Sequence, residues 1–193
     1  MSSQVHGAQK FDQAKRAETI FSEEAMKTVQ TIISHYPEAK IKSALLPVLH
    51  VAQAEFGGWL SPETMDYVAS VLKLKPIEVF EVASFYTMYN LKPVGKCVLE
   101  VCQTSSCWLN GAEDIVKYIE KKLNIKVGET SKDGMFTLKT AECLGSCGTA
   151  PMLQCGASYH ENLTYEKVDS LLENYKADGK LKSYTDLDYK NTL

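Results

Sequence analysis

Apolar residues recur at helical spacing from about residue 20 onward. Ala25, Val29, Ile32, Ile33 and Tyr36 predict a helix. Ser22 suits its cap, Glu23 and Glu24 sit well against its dipole, and Pro37 stops it. A second stripe, Ile41, Ala44, Leu45, Val48, Leu49, Ala52 and Phe56, predicts a helix from about Ala39, ended by Gly57-Gly58. Ser61-Pro62-Glu63 is a cap followed by proline at the first helical position. It opens a third helix through Met65, Val68, Ala69 and Leu72, and Pro76 opens a fourth through Ile77, Val79, Phe80, Val82, Ala83 and Tyr86. Residues 20–92 therefore read as a helical bundle.

The pattern changes near Pro93-Val94-Gly95. Cys97 to Cys102 is short, apolar and β-rich, and predicts a strand. Trp108 to Leu123 predicts one amphipathic helix with Leu109, Ala112, Ile115, Val116, Ile119 and Leu123 inward. Phe136, Leu138 and Thr140 alternate with Thr137, Lys139 and Ala141 as in a strand, and Pro151 to Gln154 predicts a further short one. Thr164 opens a last helix through Val168, Leu171, Leu172 and Tyr175, with Gly179 past its end. Residues 95–179 thus form a compact α/β unit. The expected fold class is α+β, with a polar tail over 1–19 and a second tail over 180–193. The latter is loose or a strap on a partner.

Composition adds exclusions. The chain has 193 residues, 45% hydrophobic and 23% charged, with a formal net charge of -3. Nothing in that balance suits nucleic acid. Arg16 is the only arginine, which argues against phosphate recognition by guanidinium forks. No apolar run nears the roughly 20 residues that span a bilayer. The N-terminus lacks an apolar signal core and is poor in arginine, so the expected location is the cytoplasm. In that compartment six cysteines point to metal or catalysis before disulfides.

The cysteines carry the chemistry. Cys102 and Cys107 form a C-x4-C pair, and Cys143 and Cys147 a C-x3-C pair. Each follows a predicted strand, so two loops can converge. A [2Fe-2S] cluster takes four thiolates, two on each iron, and two pairs meet that need. Zinc stays open on spacing alone, although its knuckles are usually C-x2-C. Neither pair is the C-x-x-C of a thiol oxidoreductase. The helix after Cys107 directs its N-terminal dipole toward the thiolates. Cys97 lies an odd number of residues before Cys102 and faces the other side of a regular strand. Cys97 and Cys155 read first as buried thiols; a sharper reading pairs them under oxidation.

Three stretches resemble a known family. They are Gly57-Gly58-Trp59-Leu60-Ser61-Pro62-Glu63; Val79 through Tyr89 running on to Pro93-Val94-Gly95-Lys96; and Glu142-Cys143-Leu144-Gly145-Ser146-Cys147-Gly148-Thr149-Ala150-Pro151-Met152, followed by Tyr159-His160-Glu161-Asn162-Leu163-Thr164. With Cys102 to Cys107 they cover about residues 20 to 175 in family order. The chain resembles the 24-kDa-type (E-type) chain of respiratory complex I, NADH:quinone oxidoreductase.

The resemblance implies a helical N-terminal domain and a thioredoxin-like domain holding one [2Fe-2S] cluster on Cys102, Cys107, Cys143 and Cys147. It implies an electron carrier beside a partner subunit that binds FMN and NADH. Other peripheral-arm subunits are implied as neighbours, with membrane contact only through the complex, on the cytoplasmic face if bacterial. No catalytic residue of the chain's own is expected, nor a nucleotide fingerprint. Cys155-Gly156-Ala157-Ser158 departs from the family, where an apolar residue and Asn/Asp-type residues are usual. The same module occurs in NAD-linked hydrogenases and formate dehydrogenases, which is the alternative assembly. A zinc-stabilised interaction module is the alternative from another class.

Several residues have plainer readings. Trp59, Phe85 and Tyr86 read as bundle packing, with contact to the flavin subunit as the second reading. His35, His50 and His160 read as surface or capping groups. Lys117, Lys121 and Lys122 read as a solvated helix face.

Overall fold

The computed structural model describes residues 19–178. Helix α1 spans Glu23–Ser34, and Ser22 Oγ accepts from the Ala25 N–H at 3.2 Å, as the cap reading requires. Helix α2 spans Leu45–Glu55, preceded by a 3-10 segment Glu38–Ala44. The predicted single helix from Ala39 is thus in two parts. Pro47 explains the break: proline lacks the N–H that a longer upstream helix requires and is tolerated only in a first turn. Helices α3 (Pro62–Leu72) and α4 (Pro76–Phe85) start at their prolines, and Ser61 Oγ caps α3 by accepting from the Thr64 N–H at 3.1 Å. Val29, Leu49, Val68 and Val79 meet in one fully buried core.

A second core lies between a four-stranded sheet and two helices. Strand β1 is Cys97–Cys102, β2 Phe136–Ala141, β3 Leu153–Cys155 and β4 Ser158–His160. The order is β2-β1-β3-β4, with β1 and β2 parallel and the other pairs antiparallel. Strand β4 has three residues, too few to show alternation. It forms because Gly156, at φ +57°, starts a two-residue hairpin pairing Cys155 with Ser158. The stretch that departs from the family is therefore this turn.

The predicted helix over Trp108–Leu123 is also two: α5 (Ser105–Leu109) and α6 (Ala112–Leu123). Gly111, at φ +87°, separates them. The stripe counted across that break puts Leu109 inward, but it is 74% exposed. Ala112, Ile115, Val116 and Ile119 do face the core. Helix α7 spans Tyr165–Asp178 and meets α6 through the Tyr118–Tyr165 stack and a 2.9 Å Lys122–Asp169 ion pair. Lys122 therefore bridges to a neighbouring helix. Residues 1–18 and 179–193, which include Gly179 and all but Thr19 of the predicted tails 1–19 and 180–193, lie outside the described residues.

Asn90 and Lys139 join the halves. Asn90 receives the Leu60 N–H on its carbonyl and donates from its amide side chain to the Gly58 carbonyl. Lys139, on β2, donates to the Thr87 carbonyl at 3.1 Å and to Asn90 Oδ1 at 3.0 Å, and pairs with Glu100 on β1.

Gly95 leads into β1, and its N–H donates to Thr137 Oγ1 at 2.6 Å. A Cβ there meets backbone atoms of Met135 and Phe136 at 2.9 Å. Backbone cannot rotate away as a side chain can. Gly95→Ala is expected to cost about 1–3 kcal/mol, as overpacking does, read as a lower urea midpoint with unchanged slope.

Candidate functional site

Cys102 is the last residue of β1, and its parallel neighbour in β2 is Ala141. Two residues beyond Ala141 the chain reaches Cys143. Parallel pairing thus puts both strand exits on one edge of the sheet. The Gln103 N–H donates to the Ala141 carbonyl at 3.0 Å, extending the ladder into the first loop. Cys107 follows inside α5, so it lies within this short helix and not ahead of a longer one. The dipole expectation fails accordingly: α6 begins beyond the break at Gly111.

Cys102 and Cys107 are buried, whereas Cys143 and Cys147 are exposed. The thiols of Cys102 and Cys107 hydrogen-bond to each other, as do those of Cys143 and Cys147. Cys147 also feels the charge of Cys102 and raises the pKa of Cys107. The four sulfurs are thus two pairs within electrostatic reach. Among the described residues, no three His, Cys, Asp or Glu side chains gather as ligands of one ion.

The surroundings ease ionisation of one sulfur and oppose it on its neighbour. Burial pushes Cys102 up, but the Thr104 hydroxyl and the backbone N–H groups of Leu144 and Thr104 outweigh it, so its pKa falls below the ordinary value. Burial and the bond to Cys102 raise Cys107 to about 11, against a bond from the Met152 N–H. Cys147 is raised first by its bond to Cys143. Two thiols in contact cannot both ionise cheaply without a cation between them. Backbone N–H groups directed at sulfur and an all-thiol donor set fit an iron–sulfur cluster, and two thiols per pair is the count each iron takes.

The Cys143–Cys147 loop has only the 3-10 turn Cys147–Thr149 for regular structure. Polar side chains hold it. Ser106 Oγ donates to the Cys147 carbonyl at 2.8 Å, tying the loops together. The Tyr159 hydroxyl donates to the Leu144 carbonyl at 2.7 Å. The Glu161 carboxylate accepts from Ser146 Oγ and from Thr149 Oγ1, the latter at 2.8 Å. Those two bonds keep Glu161 below the usual carboxylate range, Ser146 contributing most. Sequence reasoning assigned no role to Tyr159, Glu161, Ser106 or Thr104. The one signal was that Tyr159-His160-Glu161 belongs to the stretches that carry the resemblance.

Cys97 and Cys155 form a disulfide, with Cα atoms 6.3 Å apart. This corrects their first reading as separate buried thiols. Cys155 lies opposite Leu99, so Cys97, two residues along, is its diagonal neighbour on the same face. His160 shares a 2.9 Å hydrogen bond with Tyr175, and His50 lies against the Tyr89 ring. His35 follows α1 as its C-terminal cap. Phe85 is 77% exposed, so it does not pack the bundle as expected. Among the described residues, no helix is long and apolar enough to cross a membrane.

Paired thiols at the exits of parallel strands, on a mixed sheet packed with helices, mark a ferredoxin with a thioredoxin-like fold. The chain belongs to the thioredoxin-like [2Fe-2S] ferredoxin family, which it matches over residues 29–176. It is 45% identical over 160 residues to the E-type chain of the NADH-quinone oxidoreductase of Rickettsia felis, covering 83% of this chain and 96% of that one. It is 41% identical over 156 residues to the mitochondrial NADH dehydrogenase [ubiquinone] flavoprotein 2 of Dictyostelium discoideum, covering 81% of this chain and 63% of that one. A chain of an NAD+-reducing [NiFe]-hydrogenase in the H2-reduced state superposes with TM-score 0.60 at 19% identity, over 69% of this chain and 22% of that one. That last likeness concerns the fold alone.

Cys97→Ser and Cys155→Ser, made singly, are expected to leave the iron content of the purified chain at the wild-type level. Each should also lower the thermal midpoint, because a hydroxyl replaces a buried sulfur and its bond. Loss of iron in either variant would reassign the ligands.

Proposed function

We propose that this chain is the electron-transfer subunit of an NADH:quinone oxidoreductase, holding one [2Fe-2S] cluster on Cys102, Cys107, Cys143 and Cys147. The observation that carries the reading is the coincidence of two facts. The similarity to the Rickettsia felis chain runs through almost the whole of that relative, and the matched family region contains both thiol pairs. When bound, the cluster supplies uptake and return of a single electron.

The chain's own residues set the conditions for that exchange. Cys102 and Cys107 would hold the cluster from the buried side, and Cys143 and Cys147 from the loop. Burial removes water from the first pair. The N–H groups of Leu144, Thr104 and Met152 stabilise negative charge on its sulfurs, and such bonds tune reduction potential. The helical unit (20–92) and the cluster unit (95–179) are distinct parts of this protein, each with its own core.

The electron partner is the subunit that binds FMN and NADH, and activity requires it. No nucleotide site is assigned to this chain. It works beside the other peripheral-arm subunits on the cytoplasmic face, reaching the membrane only through the complex. The equivalent place in an NAD-linked hydrogenase rests on the fold likeness alone, and the 45% identity to the Rickettsia felis chain outweighs it.

Anaerobically purified full-length chain is expected to be reddish-brown, with two irons and two sulfides per chain and an EPR signal after dithionite reduction. Cys102→Ser, Cys107→Ser, Cys143→Ser and Cys147→Ser should each abolish or alter that signal. A colourless zinc-containing wild type would sink the proposal and favour the interaction module.

A further inference from the structure

We propose that Tyr159 and Glu161 are positioning residues of the cluster site, and that they set its reduction potential in opposite directions. This rests on the proposed cluster on Cys102, Cys107, Cys143 and Cys147. The structure shows a ligand loop with little backbone order of its own. Its anchors come from the segment at and just after β4, about fifteen residues further on.

Tyr159 acts through Leu144. Its hydroxyl donates to the Leu144 carbonyl at 2.7 Å. The N–H of the same residue donates to the Cys102 sulfur. Leu144 is therefore held from both ends, and it joins the exposed loop to a thiol of the buried pair. Gly145, at φ +82°, makes the turn that follows and is free to swing if the carbonyl is released. Removing the hydroxyl loosens Leu144 and weakens an N–H bond to sulfur. Such bonds favour the more negative, reduced state, so the potential falls.

Glu161 acts through the two residues around Cys147. It accepts from Ser146, immediately before Cys147, and from Thr149, two residues after it. The Ser146 and Thr149 hydroxyls also contact each other at 2.6 Å, closing a triangle on the carboxylate. The next residue continues the clamp: the Asn162 N–H donates to the Thr149 carbonyl at 2.7 Å. The carboxylate is thus fixed beside a ligand carrying negative charge. Adding an electron there meets repulsion. Replacing the carboxylate by an amide keeps an acceptor for the hydroxyls but removes the charge, so the potential rises.

The test uses the full-length chain and two near-isosteric variants, Tyr159→Phe and Glu161→Gln. Iron and sulfide are counted, and midpoint potential and EPR g-values are read by redox titration. Expected are a wild-type iron and sulfide content in both, a lower midpoint for Tyr159→Phe, a higher one for Glu161→Gln, and changed g-values in each. The double variant should fall between the two. Midpoints and g-values indistinguishable from wild type, or shifts of both in one direction, would overturn the assignment. If a variant purifies without its cluster, reconstitution with iron and sulfide supplies the sample. A variant that still refuses the cluster after reconstitution, whether or not its circular dichroism matches wild type, overturns the assignment of that residue. A wild-type chain without a cluster refutes the proposed function instead, so the two failures are distinguishable.

Discussion

Six consecutive residues of β1 pair in parallel with six of β2, and the site depends on that pairing. Parallel strands leave the sheet on the same edge, and their connection must cross over, here through α5 and α6. Cys102 and Cys143 are far apart in the chain but follow neighbouring exits for that reason. An antiparallel pair would send Cys143 to the far edge. The approach to this pairing is correspondingly tight. Gly95 passes so close to Met135 and Phe136 that no side chain fits, and Thr137 receives its N–H.

Given that edge, the two thiol pairs are held by different physics. The first belongs to the core. Cys102 ends a buried strand, Cys107 sits in a short helix, and backbone N–H groups compensate for lost water around their sulfurs. The second belongs to a loop whose two thiols are exposed, and its geometry is imposed largely by hydroxyls and a carboxylate. Hydrogen bonds of this kind each contribute about 1 kcal/mol. Several on one short loop are enough to select a conformation, yet leave it sensitive to any one of them. A buried half and a clamped half together give a site that is rigid without being closed.

Much of this was legible in the residues, and the exceptions have local causes. Stripes with clear caps, such as Ser22 before α1 and Ser61-Pro62 before α3, read correctly because cap chemistry and periodicity agree. Stripes that run through a breaker misled. Pro47 divides one predicted helix and Gly111 another, and in each the apolar count continued across the break. Strand β4 is too short to have a period. The thiol pairs were visible as gaps in the sequence. Their anchors were not, because Tyr159 and Glu161 reach residues that no periodicity links to them. The disulfide was readable only as one option among several, since register decides which thiols meet.

Register also keeps the two kinds of cysteine apart. Along β1, Cys97, Leu99 and Val101 alternate with Val98, Glu100 and Cys102. The first set faces the core shared with α6 and α7, and there Cys97 meets Cys155 on the neighbouring β3. The second set shares its face with Lys139, which pairs with Glu100 and reaches Thr87 and Asn90 of the helical half. A slip of one residue would exchange the faces and turn Cys102, already buried at the strand end, to the side of the sheet that holds the disulfide. It would also bury Glu100 as an uncompensated charge, which is costly. The Glu100–Lys139 pair is weak as a source of stability. As a guard on register it is strong, because it makes the wrong alignment expensive. The separation of disulfide from ligand thiols therefore follows from a charged residue two positions before Cys102.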